Sequence, residues 1–174
     1  MKIKRNTQSG FTLIEMVIYV ALFAFIMAGA IVSVYGILGT SARNQIKAMV
    51  QEEGSFLQGK IDWVLSSADS ASVSEDGYIM TVVRFDGTQM SIIVSAETGN
   101  MSIDRGEGQK GLNNSNVTVS CAPALPKVGC FTYTESSGDG INPKNVEAHF
   151  TVNSRTTEGL PYSQDFSTIK YLRK

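Results

Sequence analysis

The sequence predicts an α+β fold, a long N-terminal helix packed on an antiparallel β-sheet, and three patterns carry that prediction. Residues 11–42 are almost wholly apolar, residues 43–71 keep apolar side chains at steps of three and four, and from Tyr78 onward apolar residues alternate in short runs between turn-forming residues. Steps of three and four place side chains on one face of a helix; alternation places them on one face of a strand. About 100 residues beyond the helix are enough for one hydrophobic core and not comfortably two.

The leader, residues 1–10, reads MKIKRNTQSG and holds Lys2, Lys4 and Arg5 with no acid and no apolar block. It is therefore not the hydrophobic part of an ordinary secretory signal. Between residues 11 and 42 the single Asp, Glu, Lys or Arg is Glu15, and charge returns at Arg43. About 20 apolar residues suffice to span a bilayer. At about 1.5 Å per residue the run rises about 48 Å against a hydrocarbon core of about 30 Å, so it projects or tilts. The basic leader is expected to stay in the cytoplasm, with everything after Ala42 outside it. Gly29, Gly36 and Gly39 each weaken the helix by up to about 1 kcal/mol relative to Ala. Close packing, local melting and the ordinary glycine content of membrane helices are all open explanations.

Glu15 is the anomaly of this segment. A carboxylate at the centre of a membrane helix costs about 2.5–3.5 kcal/mol, less near the interface, and such a charge usually has a partner. A cut after Gly10 would place a new amino group on Phe11 one turn before Glu15, where the amine of a neighbouring copy can neutralise the carboxylate. The positive end of the helix dipole also favours an acid in the first turn.

The run Gly10-Phe11-Thr12-Leu13-Ile14-Glu15, after a short basic leader and before MVIYVALFAFIMAGAIV, resembles the class III signal of type IV pilins and of the related secretion and competence pseudopilins. The resemblance covers about residues 1–40. It implies that a prepilin peptidase cuts between Gly10 and Phe11 and N-methylates Phe11, and that Glu15 guides docking and register during assembly. It further implies other pilin or pseudopilin subunits as partners, an inner-membrane assembly platform and a separate ATPase. The alternative is a single-pass anchor with an incidental acid, which has no need of Gly10 or of Glu15 at this spacing.

Beyond the membrane segment, Ile46, Met49, Val50, Phe56, Leu57, Ile61, Val64, Leu65 and Ala68 mark an apolar helix face, with Arg43, Lys47, Glu52, Lys60, Asp62 and Asp69 mostly elsewhere. This suits the continuation of the same helix across a soluble domain. The SSADSAS stretch offers no helical period and many side chains that compete for backbone hydrogen bonds, so the helix is expected to end near residues 66–72. The expected divisions are thus leader 1–10, membrane or filament-core helix 11–42, amphipathic helix 43–71 and β-rich domain 72–174.

YIMTVVRF and TQMSIIVS flank Asp86-Gly87, a two-residue hairpin signal. A turn at residues 97–100 leads to MSIDR, giving a meander of three strands. GEGQKGLNNSN is too polar and glycine-rich to hold regular structure. NVTVSC, CFTYT, VEAHFTVN and FSTIKYL complete one expected sheet of six or seven strands.

Cys121 and Cys130 bracket APALPKVG, and in an exported chain a disulfide is the expected state, the rival being two thiols. No zinc pattern is present. His149 falls on the polar side of VEAHFTV with Glu147 and Thr151, a solvated strand position. Without a second histidine, a nucleophile elbow or a phosphate-cradling loop, no catalytic constellation and no cofactor are expected. Residues 136–142, SSGDGIN, hold too few carboxylates for calcium and read as a turn. The sequons at Asn113 and Asn116 are frequent by chance, and no modification is assigned to them.

Without the leader the chain has 12 basic and 16 acidic side chains. The outer cations are spread among acids, so no direct nucleic-acid binding is expected. The function expected is that of a structural filament subunit, anchored in the membrane and then polymerised. Trp63 and the missing mid-helix proline resemble minor pilins, including J-like pseudopilins. A tip-adhesin role for loops 106–116 and 122–129 is the alternative, and pilus, secretion and DNA-uptake systems are left open.

Overall fold

The structure, a computed structural model, describes residues 12–121, 123–124, 127–136, 143–154 and 161–172. Helix α1 runs Leu13–Ser66, continuous through Gly29, Gly36 and Gly39. The chain divides into two compact units, Met1–Asn44 and Gln45–Lys174, and α1 contributes to both.

Within Gln45–Lys174, α1 buries Val50, Gly54, Leu57, Ile61, Val64 and Leu65. These recur every three or four residues, as an apolar helix face requires. Phe56, expected on that face, is instead exposed, because it lies one residue off the buried line and about 100° round the helix from Leu57. The helix ends where Ser66 Oγ donates to the carbonyl of Asp62 at 2.6 Å and Ser67 Oγ to that of Val64 at 3.5 Å, the backbone competition expected of serine. The rest of the SSADSAS stretch is not helix: Ala68–Val73 forms strand β1. Its small side chains gave no alternation to read, and a register shift between Ala68 and Ser70 breaks the period.

The expected single sheet is two sheets. The first is antiparallel in chain order, β1 followed by β2 (Ile79–Arg84), β3 (Gln89–Val94), β4 (Met101–Asp104) and β5 (Gln109–Gly111). The second centres on β10 (Asn145–Ser154), flanked on one side by β11 (Ser163–Tyr171) and on the other by β6 (Val117–Cys121) and β9 (Phe131–Thr134). A two-stranded ladder, β7 (Pro123–Ala124) with β8 (Lys127–Val128), lies between β6 and β9 in the chain. Strand β5 falls within the stretch read as too polar for regular structure; only three residues long, it pairs by backbone alone and all its side chains are exposed.

Asn113 separates the sheets. Its side-chain oxygen accepts the Met101 N–H at 2.7 Å and its amide donates to the Val117 carbonyl at 3.1 Å. An asparagine side chain thus takes over from β5 at Met101, the first residue of β4. The Asp86-Gly87 turn also differs from a two-residue loop. The Gly87 N–H donates to the Arg84 carbonyl and the Arg84 N–H to the Thr88 carbonyl, both at 2.9 Å. Only Gly87, at φ 80°, is left-handed. A two-residue type I′ turn needs positive φ at both central residues, whereas a three-residue loop needs it once, at the glycine.

Strand β10 alternates strictly, with Val146, Ala148, Phe150 and Val152 fully buried. Together with the helix face, Met80, Val82, Ile92, Val94, Met101, Val117, Val119 and Phe131, they form one core. Strands β6 and β9 are not partners of each other but lie end to end along β10, Cys121 opposite Phe150 and Phe131 opposite Ala148. A disulfide joins Cys121 to Cys130 across that gap, with Cα atoms 4.6 Å apart. The two sheets are tied where the Gly77 carbonyl accepts both the Cys130 and Phe131 N–H groups at 2.9 Å. A Cβ on Gly129 would stand 2.6 Å from the Gly77 Cα, so glycine is required there by contact alone.

Candidate functional site

The residues singled out for processing and assembly lie at the start of the chain. Gly10 and Phe11 are outside the described residues. Glu15 is described, half-buried in the first turn of α1.

Thr12 precedes the helix, and its carbonyl accepts the first helical bond, from the Met16 N–H at 3.3 Å. The Glu15 carboxylate reaches back to accept the Thr12 N–H at 3.5 Å and the Thr12 hydroxyl at 3.4 Å. This is the carboxylate half of a capping box, in which the acid three residues into the helix satisfies the backbone donor of the capping residue. Both bonds are long and both fall on Oε2. An ionised carboxylate has about four acceptor positions, so Glu15 retains capacity for a cation while it caps its own helix. Thr12 was not singled out in the sequence, although the Thr-x-x-Glu spacing was there to be read.

Residues 13–38 carry a continuous apolar surface in which Leu13, Phe23, Phe25, Ile26, Val32 and Tyr35 are all exposed. The window of highest hydropathy in α1 is not buried within the chain at all, and the helix is long and apolar enough to cross a membrane. Two of its hydroxyls bond to the helix itself: Ser33 Oγ donates to the Gly29 carbonyl at 3.0 Å and Thr40 Oγ1 to that of Gly36 at 2.9 Å. Hydroxyls bonded to their own helix need no water, a condition that lipid or a dry helix bundle imposes. Gly29, Gly36 and Gly39 have nothing within 4 Å of a Cβ position, so no packing inside the chain calls for them.

His149 lies on the outer side of β10 and its Nε2 contacts Glu147 Oε1 at 2.6 Å. Ser167 stands opposite His149 on β11, and no group of three or more potential metal ligands occurs among the described residues. Of the SSGDGIN turn, residues 137–142 lie outside the described residues. Asn113, the first residue of one sequon, has its amide engaged in the fold.

Residues 5–31 match the model of the prokaryotic N-terminal methylation motif. This is the class III signal carried by type IV pilins and pseudopilins; the match begins at Arg5 of the leader and takes in Gly10, Phe11, Glu15 and the first part of the apolar run. No curated protein and no solved structure matches the chain.

Proposed function

We propose that this chain, a bearer of the prokaryotic N-terminal methylation motif, is a structural subunit of a type IV pilus or a related pseudopilus, and a minor one. Prepilin peptidase hydrolyses the Gly10–Phe11 bond, leaving a carboxylate on Gly10 and an amine on Phe11 that is then N-methylated. The apolar half of α1 holds the subunit in the cytoplasmic membrane with its N-terminus inside. It then leaves lipid for the core of a filament built with other pilin or pseudopilin subunits, on an inner-membrane platform served by a separate ATPase.

One observation supports this reading above the others. The apolar surface of residues 13–38 is open in the single chain, and its only Asp, Glu, Lys or Arg, Glu15, sits at the end where cleavage would create an amine. Lipid covers such a surface in a monomer and like helices cover it in a polymer; the carboxylate gives the polymer its register. Its half-occupied cap geometry lets Glu15 accept a neighbour's Phe11 ammonium without giving up Thr12. The role is mechanical, not enzymatic.

The test is incorporation. Gly10→Ala is expected to accumulate an uncut precursor, seen by mass spectrometry as retention of residues 1–10. Glu15→Val is expected to be cut normally and yet be absent from sheared filaments. Normal processing of the first variant, or full incorporation of the second, overturns the assignment.

A further inference from the structure

Cations remote in sequence converge on the single tryptophan of the chain, against the expectation that they are dispersed. Phe56, Lys60 and Trp63 follow one another at steps of four and three on α1, which places them on one stripe. Arg84 comes from the end of β2, and Arg105 follows β4. The guanidinium carbons of Arg105 and Arg84 lie 5.0 and 5.4 Å from the centre of the Trp63 ring. Lys60 Nζ lies 5.9 Å from that ring and 5.2 Å from the ring of Phe56. All are within about 6 Å, the range of a cation–π interaction.

The patch is open: Trp63 is 41 % and Phe56 46 % exposed. Among the described residues none of the three cations has a carboxylate within 4.0 Å. The nearby acids are engaged elsewhere. Asp86 accepts from the Thr88 hydroxyl and N–H, Asp104 from the Gly106 N–H, and Asp62 from the Thr168 hydroxyl. Arg84 Nε donates to Ser67 Oγ at 2.6 Å, which fixes the guanidinium and leaves its terminal N–H groups to other acceptors. The ring thus holds three positive charges in place with no carboxylate at ion-pair distance among the described residues, Arg84 acting on Asp86 only at longer range.

We propose that this patch binds an acidic segment of a neighbouring polypeptide, its carboxylates meeting Arg84, Arg105 and Lys60 and its apolar side chains lying on Phe56. Tryptophan and arginine are the residue types that dominate binding hot spots, and guanidinium forks match carboxylates. A nucleic acid fits less well. The cations lie over the indole, so a base stacks on Trp63 only by displacing them. Glu52 stands exposed one turn before Phe56 on the same stripe, which suits a short acidic stretch broken by apolar side chains and disfavours an extended polyanion. All five residues belong to Gln45–Lys174, so this proposal stands apart from the filament reading.

Trp63 is the only tryptophan, so its fluorescence reports the patch directly. Full-length protein in detergent micelles is titrated with the peptide Glu-Glu-Phe-Glu-Glu-Phe and, separately, with a short oligothymidylate. The peptide is expected to shift the emission saturably, with affinity falling about tenfold in the Arg84→Gln, Arg105→Gln double variant and in the same direction, more weakly, in Lys60→Gln. Cooperative unfolding of each variant shows that the fold is kept; should the double variant not fold, Lys60→Gln alone decides. An absent shift, an affinity indifferent to these substitutions, or tighter binding of the oligothymidylate overturns the proposal.

Discussion

Gly54 has no side chain because Phe166 occupies the space where one would go: a Cβ there would stand 2.0 Å from the ring. Phe166 in turn stacks on Phe150, the ring centroids 5.7 Å apart. The sequence shows a glycine inside an amphipathic helix, which by propensity alone should become more stable as alanine by about 1 kcal/mol. Overpacking a core costs about 1–3 kcal/mol, so the contact wins. Gly54→Ala is expected to lower the denaturation midpoint, and Phe166→Leu to restore part of the loss in that background. An alanine variant more stable than the parent would refute the close contact. Thr12 and Glu15 show the opposite case: their bond is local, three residues apart, and the spacing announced it. Asn113 could not be read the same way, because both its partners lie on strands whose pairing had yet to be placed.

Strand β2 is braced at both ends by aspartate-centred turns. Before it, Asp76 accepts from the Ser74 hydroxyl and from the Tyr78 N–H at 3.1 Å; after it, Asp86 accepts from the Thr88 hydroxyl at 2.5 Å and N–H at 2.9 Å. The Ser74 hydroxyl first, then the Tyr78 N–H, hold the Asp76 carboxyl below its ordinary value of 3.8. The Thr88 hydroxyl and N–H do the same for Asp86, helped by the charge of Arg84. A carboxyl whose folded pKa is depressed takes up its proton first in the unfolded chain. Its contribution is therefore complete above about pH 4 and is lost as pH falls through the folded values. Urea midpoints followed from about pH 5 to about pH 2 should fall less steeply in Asp76→Asn, Asp86→Asn than in the parent; identical slopes would show that these bonds do not survive in solution. At this scale β2, β3, β4, β6, β9 and β10 were legible from alternating apolar residues, and β11 only in part, since FSTIKYL does not alternate and the strand begins three residues earlier, at Ser163. Strands β1 and β5 were not, since small or polar side chains leave backbone pairing as their only signature.

Among the described residues, every buried apolar side chain lies within the unit Gln45–Lys174. A chain beginning at Gln45 is therefore expected to fold and unfold in one cooperative transition without detergent, monitored by Trp63 emission. Loss of that transition would mean that the apolar half of α1 is needed for the fold. What the sequence determined by itself was everything set by near neighbours along the chain. It showed the helix and its length, the apolar stretch, the Gly10–Phe11–Glu15 signal and the strict alternation of β10, because each depends on spacing within a few turns or residues. Only the tertiary structure decided that the strands divide into two sheets, that β6 and β9 share one edge of β10, that Gly54 yields to Phe166 and that Arg84 and Arg105 meet at Trp63. Those are contacts between residues distant in sequence, and their geometry exists only once the helix face and both sheets have closed on a common core.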